Sequence, residues 1–235
     1  MNSEAVNMMR KELFDENEEV RSQFLKHFPH ETSEFINEIS NAYVSWRKYD
    51  QTVGADKRRA YVAAYFFNAI NNLLASTKLF LSGYSIPSGN LVRQTIEALC
   101  CGILCSSHNL KVYEQIDQNK FSANKAGNLI LKHCDTLNIN KEQMTSLLRL
   151  YDFYHKFSHS SLLALAQNMS FATPSNEVYL GASFDEGKLA VYEKEVSTRL
   201  NLALLISKAI KGLPNTEKTS VNKRVHPIAE KAGSG

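Results

Sequence analysis

The chain has 235 residues, 43% of them hydrophobic, which is enough for a buried core and excludes a disordered chain. Its formal net charge is +3, and residues 214–235 contribute +2 of it. Residues 1–213 are therefore nearly neutral, and their charge does not indicate nucleic-acid binding. No run of about 18 uncharged apolar residues occurs, and the charged N-terminal segment lacks an apolar signal core, so we expect a cytoplasmic protein without membrane contact.

The first half of the chain predicts four helices, over residues 3–28, 31–51, 55–82 and 88–107. The first two have a single apolar stripe, with apolar residues at three- and four-residue steps. The last two are apolar on nearly all sides and are joined by a short turn at Gly83 and Pro87. A short connection makes helices antiparallel neighbours, so this pair is predicted to form a hairpin at the centre of the fold.

The second half predicts helices over residues 109–118, 121–135, 140–168 and 185–211. Asn138 or Asn140 is expected to cap the third of these, and Val178–Ala182 is a candidate extended segment. The fold class is therefore all-α, a single-domain bundle of seven or eight helices. We divide the chain into N-terminal helices at 1–52, a bundle core at 53–213 and a polar tail at 214–235 that is predicted to be disordered.

Four cysteines, Cys100, Cys101, Cys105 and Cys134, are predicted to be reduced and buried, because three of them share one apolar helix. Cys101, Cys105 and His108 fall on one helical face and have side chains of metal-binding types. Their spacing is not typical of a zinc finger, so we expect neither a metal nor a cofactor.

A polar cluster interrupts the apolar pattern near residue 155. Tyr151, Asp152, His155 and His159 lie at helical spacing, and Arg93 and Glu97 lie four residues apart on the apolar helix 88–107. Because polar groups on apolar helices need partners, we expect Arg93 and Glu97 to lie near His155 and His159. The alternatives are a structural hydrogen-bonded cluster for the histidine segment and a simple intrahelical ion pair for Arg93 and Glu97.

The pattern GYSIPSGNLVRQTIE, followed by YDFYHKFSHSS, resembles a group of bacterial helical proteins that are similar in turn to the HEPN superfamily (higher eukaryotes and prokaryotes nucleotide-binding). HEPN ribonucleases carry an arginine followed, after four to six residues, by a histidine, and five residues separate Arg149 from His155. The resemblance implies metal-independent RNA cleavage with His155 as general acid/base and Arg149 on the phosphate. Asp152 would then orient His155, and His159 would compete with it for the catalytic role.

Two functions follow from this resemblance. The first is a HEPN-like endoribonuclease effector of a bacterial defence or toxin system, with RNA as substrate and a partner protein from a defence operon. The second is a non-catalytic helical interaction or scaffold protein of the same fold, since many HEPN relatives are inactive. We also expect a homodimer, because two-fold dimers are the commonest assembly.

Overall fold

The architecture is taken from a computed structural model, which describes residues 3–14, 17–156, 162–167, 169–170 and 179–213. The predicted tail at 214–235 and His159 lie outside these residues. The α-helices of the first half are α1 (Ser3–Phe14), α2 (Glu18–His27), α3 (Pro29–Asp50), α4 (Lys57–Leu81) and α5 (Ser85–Ser106). Those of the second half are α6 (Val112–Asp117), α7 (Ala126–Lys132), α8 (Cys134–Leu137), α9 (Lys141–His155), α10 (Leu162–Gln167) and α11 (Leu189–Lys211).

The remaining elements are short. Two 3₁₀ turns, Ala123–Lys125 and Glu186–Lys188, precede α7 and α11. Strands β1 (Met169–Ser170) and β2 (Tyr179–Leu180) pair antiparallel, and β2 falls in the segment predicted to be extended. The all-α bundle predicted from the sequence is confirmed.

Helices α4 and α5 form the predicted central antiparallel hairpin. Near the turn the hydroxyl of Ser76 donates to the carbonyl of Ser88 at 2.9 Å, while at the far end a side chain on Gly102 would meet the ring of Phe66 at 3.0 Å. Small residues at these positions let the two backbones approach closely. Helices α3 and α11 cover α4, and α7 and α9 pack against α5.

Several predicted helices are divided. The expected helix at 3–28 is wrong as a single element, because α1 ends at Phe14 and Asn17 adopts a left-handed conformation (φ 50°) before α2. The helix expected at 140–168 ends at His155, and α10 is a separate element. Asn140 is the predicted cap of α9, with its side chain accepting a hydrogen bond from the Gln143 backbone at 2.9 Å.

The core comprises one large apolar cluster between α3, α4, α5, α9 and α11 and a smaller aromatic cluster beside α2. All four cysteines are buried and unpaired, as predicted. None of the helices in the described part of the chain combines the length and the apolar character needed to cross a membrane.

Candidate functional site

The predicted polar cluster lies where α9 packs on α5. The phenol of Tyr151 donates a hydrogen bond to Oε1 of Glu97 at 2.8 Å, and Nη1 of Arg93 lies 3.7 Å from the same oxygen. The side chains of Arg93 and Glu97 are 24% and 19% exposed, so this group is partly shielded from water but still reachable. An intrahelical ion pair on α5 is thereby joined to α9 by a phenol.

His155 lies one turn after Tyr151 on α9, beside this cluster. The exposed ring of His155 stacks near that of Tyr151, with centroids 6.4 Å apart and planes at 13°.

Burial and the carboxylate partner keep Tyr151 protonated. Desolvation, followed by the hydrogen bond to Glu97, raises the pKa of Tyr151 to about 12. The phenol is therefore a donor at neutral pH and holds Glu97 in place. The buried Nε of Arg93 has no hydrogen-bond partner among the described residues, which leaves this guanidinium with an unused donor.

A cavity of about 140 Å³ adjoins the cluster. Ile96, Cys100 and Leu148 line it with apolar surface, and Glu97 and Tyr151 form part of its wall. Its polar rim comprises Asn124 and Asn128 from the segment around α7, together with Asp152 from α9. Asp152 is exposed and points to this cavity, one turn before His155.

The remaining predicted residues are less closely grouped. Arg149 is exposed on α9, and its six-residue separation from His155 corresponds to about 240° around the helix. Among the described residues, the arginine of this cluster is Arg93. The hydrogen bond between Tyr151 and Glu97 joins the two predicted segments. The expected proximity of Arg93 and Glu97 to His155 stays a prediction, and His159 lies outside the described residues.

Sequence reasoning missed a second cluster of the same composition. Arg199 on α11 is 2% exposed and its Nη1 lies 2.7 Å from Oε2 of Glu195, which also accepts the phenol of Tyr154 at 2.7 Å. Burial raises the pKa of the Tyr154 phenol well above its usual range. The available signal was the four-residue spacing of Glu195 and Arg199, the same spacing that singled out Arg93 and Glu97.

Comparison of the chain with models of protein families, with curated proteins and with solved structures finds no match. The resemblance to HEPN proteins therefore stays a prediction.

Proposed function

We propose that the chain is a HEPN-like, metal-independent endoribonuclease effector of a bacterial defence or toxin system. The observation that supports this most is the cluster of Arg93, Glu97 and Tyr151 where α9 packs on α5, with the ring of His155 stacked near that of Tyr151. A proton-transfer group and a cation on facing helices are what cleavage of a ribose phosphodiester requires.

His155 takes the proton from the ribose 2′-hydroxyl, which then attacks the adjacent phosphorus. The imidazolium returns the proton to the departing 5′-oxygen, so the chain is cut and a cyclic phosphate forms. Arg93 stabilises the additional negative charge on the phosphorane through its guanidinium, which is partly exposed. Tyr151 and Glu97 hold Arg93 in position. The homodimer expected from the sequence would present two such sites.

The test is incubation of single-stranded RNA with the full chain in EDTA, followed by analysis of the products. His155→Ala is expected to lower the cleavage rate by about 10²–10⁴-fold, the usual contribution of a general acid/base. Arg93→Gln, which keeps the length of the side chain, is expected to lower it by about 10²–10³-fold. His108→Gln, an exposed histidine outside the cluster, is the matched control and should leave the rate unchanged.

Circular dichroism of each variant separates lost activity from lost folding. Full cleavage by a correctly folded His155→Ala variant would refute the role of His155 as general acid/base. If Arg149→Ala lowers the cleavage rate more than Arg93→Gln does, the residue that contacts the phosphate is Arg149.

A non-catalytic interaction protein is the second candidate, and one feature favours it. A groove of about 660 Å³ lies between α9 and α11, lined in part by Leu150, Phe153 and Val191. Phe153 and Val191 are 36% and 38% exposed, so the groove offers apolar surface for a helix of a second copy. A wild-type chain that cuts no RNA, together with a dimer in sedimentation that Val191→Glu dissociates, would support this candidate.

A further inference from the structure

The cavity between α5, α7 and α9 has an arrangement of donors and acceptors that the cleavage chemistry does not use. Asp152 and Asn128 have no hydrogen-bond or ion-pair partner among the described residues. The amide oxygen of Asn124 accepts a hydrogen bond from Ser122 at 2.8 Å, so its N–H groups are the part left for a ligand. The rim thus offers one carboxylate and two carboxamides.

The charge and size of the cavity restrict its ligand. None of the described residues that line it is basic, so it does not suit a phosphate group. At about 140 Å³ it is smaller than drug-sized sites, which hold about 300–1,000 Å³, and it matches a single planar ring system. Its apolar lining of Ile96, Cys100 and Leu148 favours a flat aromatic group over a sugar.

We propose that this cavity binds a guanine base of single-stranded RNA. An ionised carboxylate only accepts hydrogen bonds, and guanine is the base whose Watson–Crick edge offers two adjacent donors, N1–H and the N2 amino group. Asp152 accepts both of them. The carboxamide of Asn128 donates to the guanine O6. Adenine and cytosine present a single amino group and uracil a single N3–H, so each leaves half of the carboxylate unpaired.

The position of the cavity relates this base to the cleavage site, and this inference therefore rests in part on the proposed ribonuclease function. His155 lies one turn beyond Asp152 on α9, and Arg93 lies one turn from Glu97 on α5. A guanine in the cavity places its own ribose and phosphate toward His155. The substrate class is accordingly single-stranded RNA that contains guanosine, cut at the phosphate next to it.

Binding is measured first, without any cleavage, by titrating the full chain with guanosine, adenosine, cytidine and uridine 5′-monophosphates in a calorimeter. Guanosine monophosphate is expected to bind at least tenfold more tightly than the other three. Asp152→Asn should weaken guanosine monophosphate binding by about tenfold to a hundredfold, the loss of one bidentate base contact, and leave adenosine monophosphate unaffected. Asp135→Asn makes the same chemical change at an exposed aspartate away from the cavity and should change nothing.

Cleavage of short RNAs with one guanosine in an otherwise uniform strand distinguishes this inference from the proposed function. Selective binding of guanosine monophosphate without any cleavage supports the cavity and refutes the nuclease. Cleavage at equal rates beside all four bases refutes the guanine site and supports the proposed ribonuclease function. If Asp152→Asn slows cutting equally at every base, Asp152 only positions His155, and the guanine site is overturned.

Discussion

Substitution of Arg199 by methionine tests whether the buried cluster on α11 holds the bundle together. Arg199 donates to the carboxylate of Glu195 at 2.7 Å and to the hydroxyl of Ser88, and its guanidinium lies 4.4 Å from the ring centroid of Phe80. Methionine fills similar volume but leaves the Glu195 carboxylate without its cation. Because Glu195 also accepts the Tyr154 phenol, the damage extends from α11 to α9.

The expected loss follows from the burial of the pair. Removing one partner of a buried ion pair costs about 3–5 kcal/mol, because the other charge stays buried without compensation. The Glu195 side chain is 13% exposed, so water offsets part of this cost and the lower half of that range applies. At about 3–4 kcal/mol, the melting temperature of a chain of this size should fall by about 6–16 °C.

Urea unfolding followed by the fluorescence of Trp46, the one tryptophan of the chain and a buried one, measures the change directly. Arg149→Met is the matched control, since Arg149 is exposed, and it should shift the free energy of unfolding by less than about 0.5 kcal/mol. The double variant Arg199→Met/Glu195→Leu should recover much of the loss, because it removes both charges. A loss below about 1 kcal/mol in Arg199→Met would refute the reasoning.

Two further predictions concern the turn between α4 and α5 and the cysteines. Gly83→Ala should destabilise the fold by about 1–3 kcal/mol in urea unfolding, because Gly83 has φ +85° and a Cβ there would lie 2.8 Å from the backbone of Ser183. Gly54→Ala is the control, with positive φ but open space, and an equal loss there would contradict the steric explanation. The four buried thiols should resist Ellman's reagent at pH 8 in the folded chain, and all four should react once the chain is unfolded. The reason is that burial raises the pKa of Cys101 and Cys105 to about 12, so the reactive thiolate is scarce. Rapid modification of the folded chain would contradict this.

The helices were largely predictable, because apolar periodicity and the glycines and prolines between helices are local properties of the sequence. The break before α2 was not, since Asn17 lies in a charged segment where nothing local distinguishes a left-handed residue from a helical one. The end of α9 at His155 was missed for a related reason, because the apolar pattern continues into residues 162–167.

The two polar clusters differ in how far they could be predicted from the sequence. Arg93 and Glu97 were predicted to have partners on another helix because they interrupt an apolar helix, and Glu97 does accept a hydrogen bond from Tyr151 of α9. Glu195 and Arg199 have the same spacing but occur among the charged residues of α11, so they resemble an ordinary surface pair. Which i, i+4 pair becomes buried depends on the neighbouring helices, and that is not encoded in the spacing itself. The cavity beside α7 was equally hidden, because it is assembled from three segments.

The two clusters together explain how α9 is held in the bundle. Each consists of an arginine, a glutamate and a tyrosine, and in each the tyrosine comes from α9 and the ion pair from a neighbouring helix, α5 in one case and α11 in the other. The α11 cluster is nearly sealed from water, whereas the α5 cluster is partly open and faces a cavity. Two charge-assisted hydrogen bonds three residues apart fix both the rotation and the height of α9. Because an acid/base group is effective only when its surroundings hold it in the productive geometry, this double attachment is the arrangement that the role proposed for His155, at the end of α9, requires.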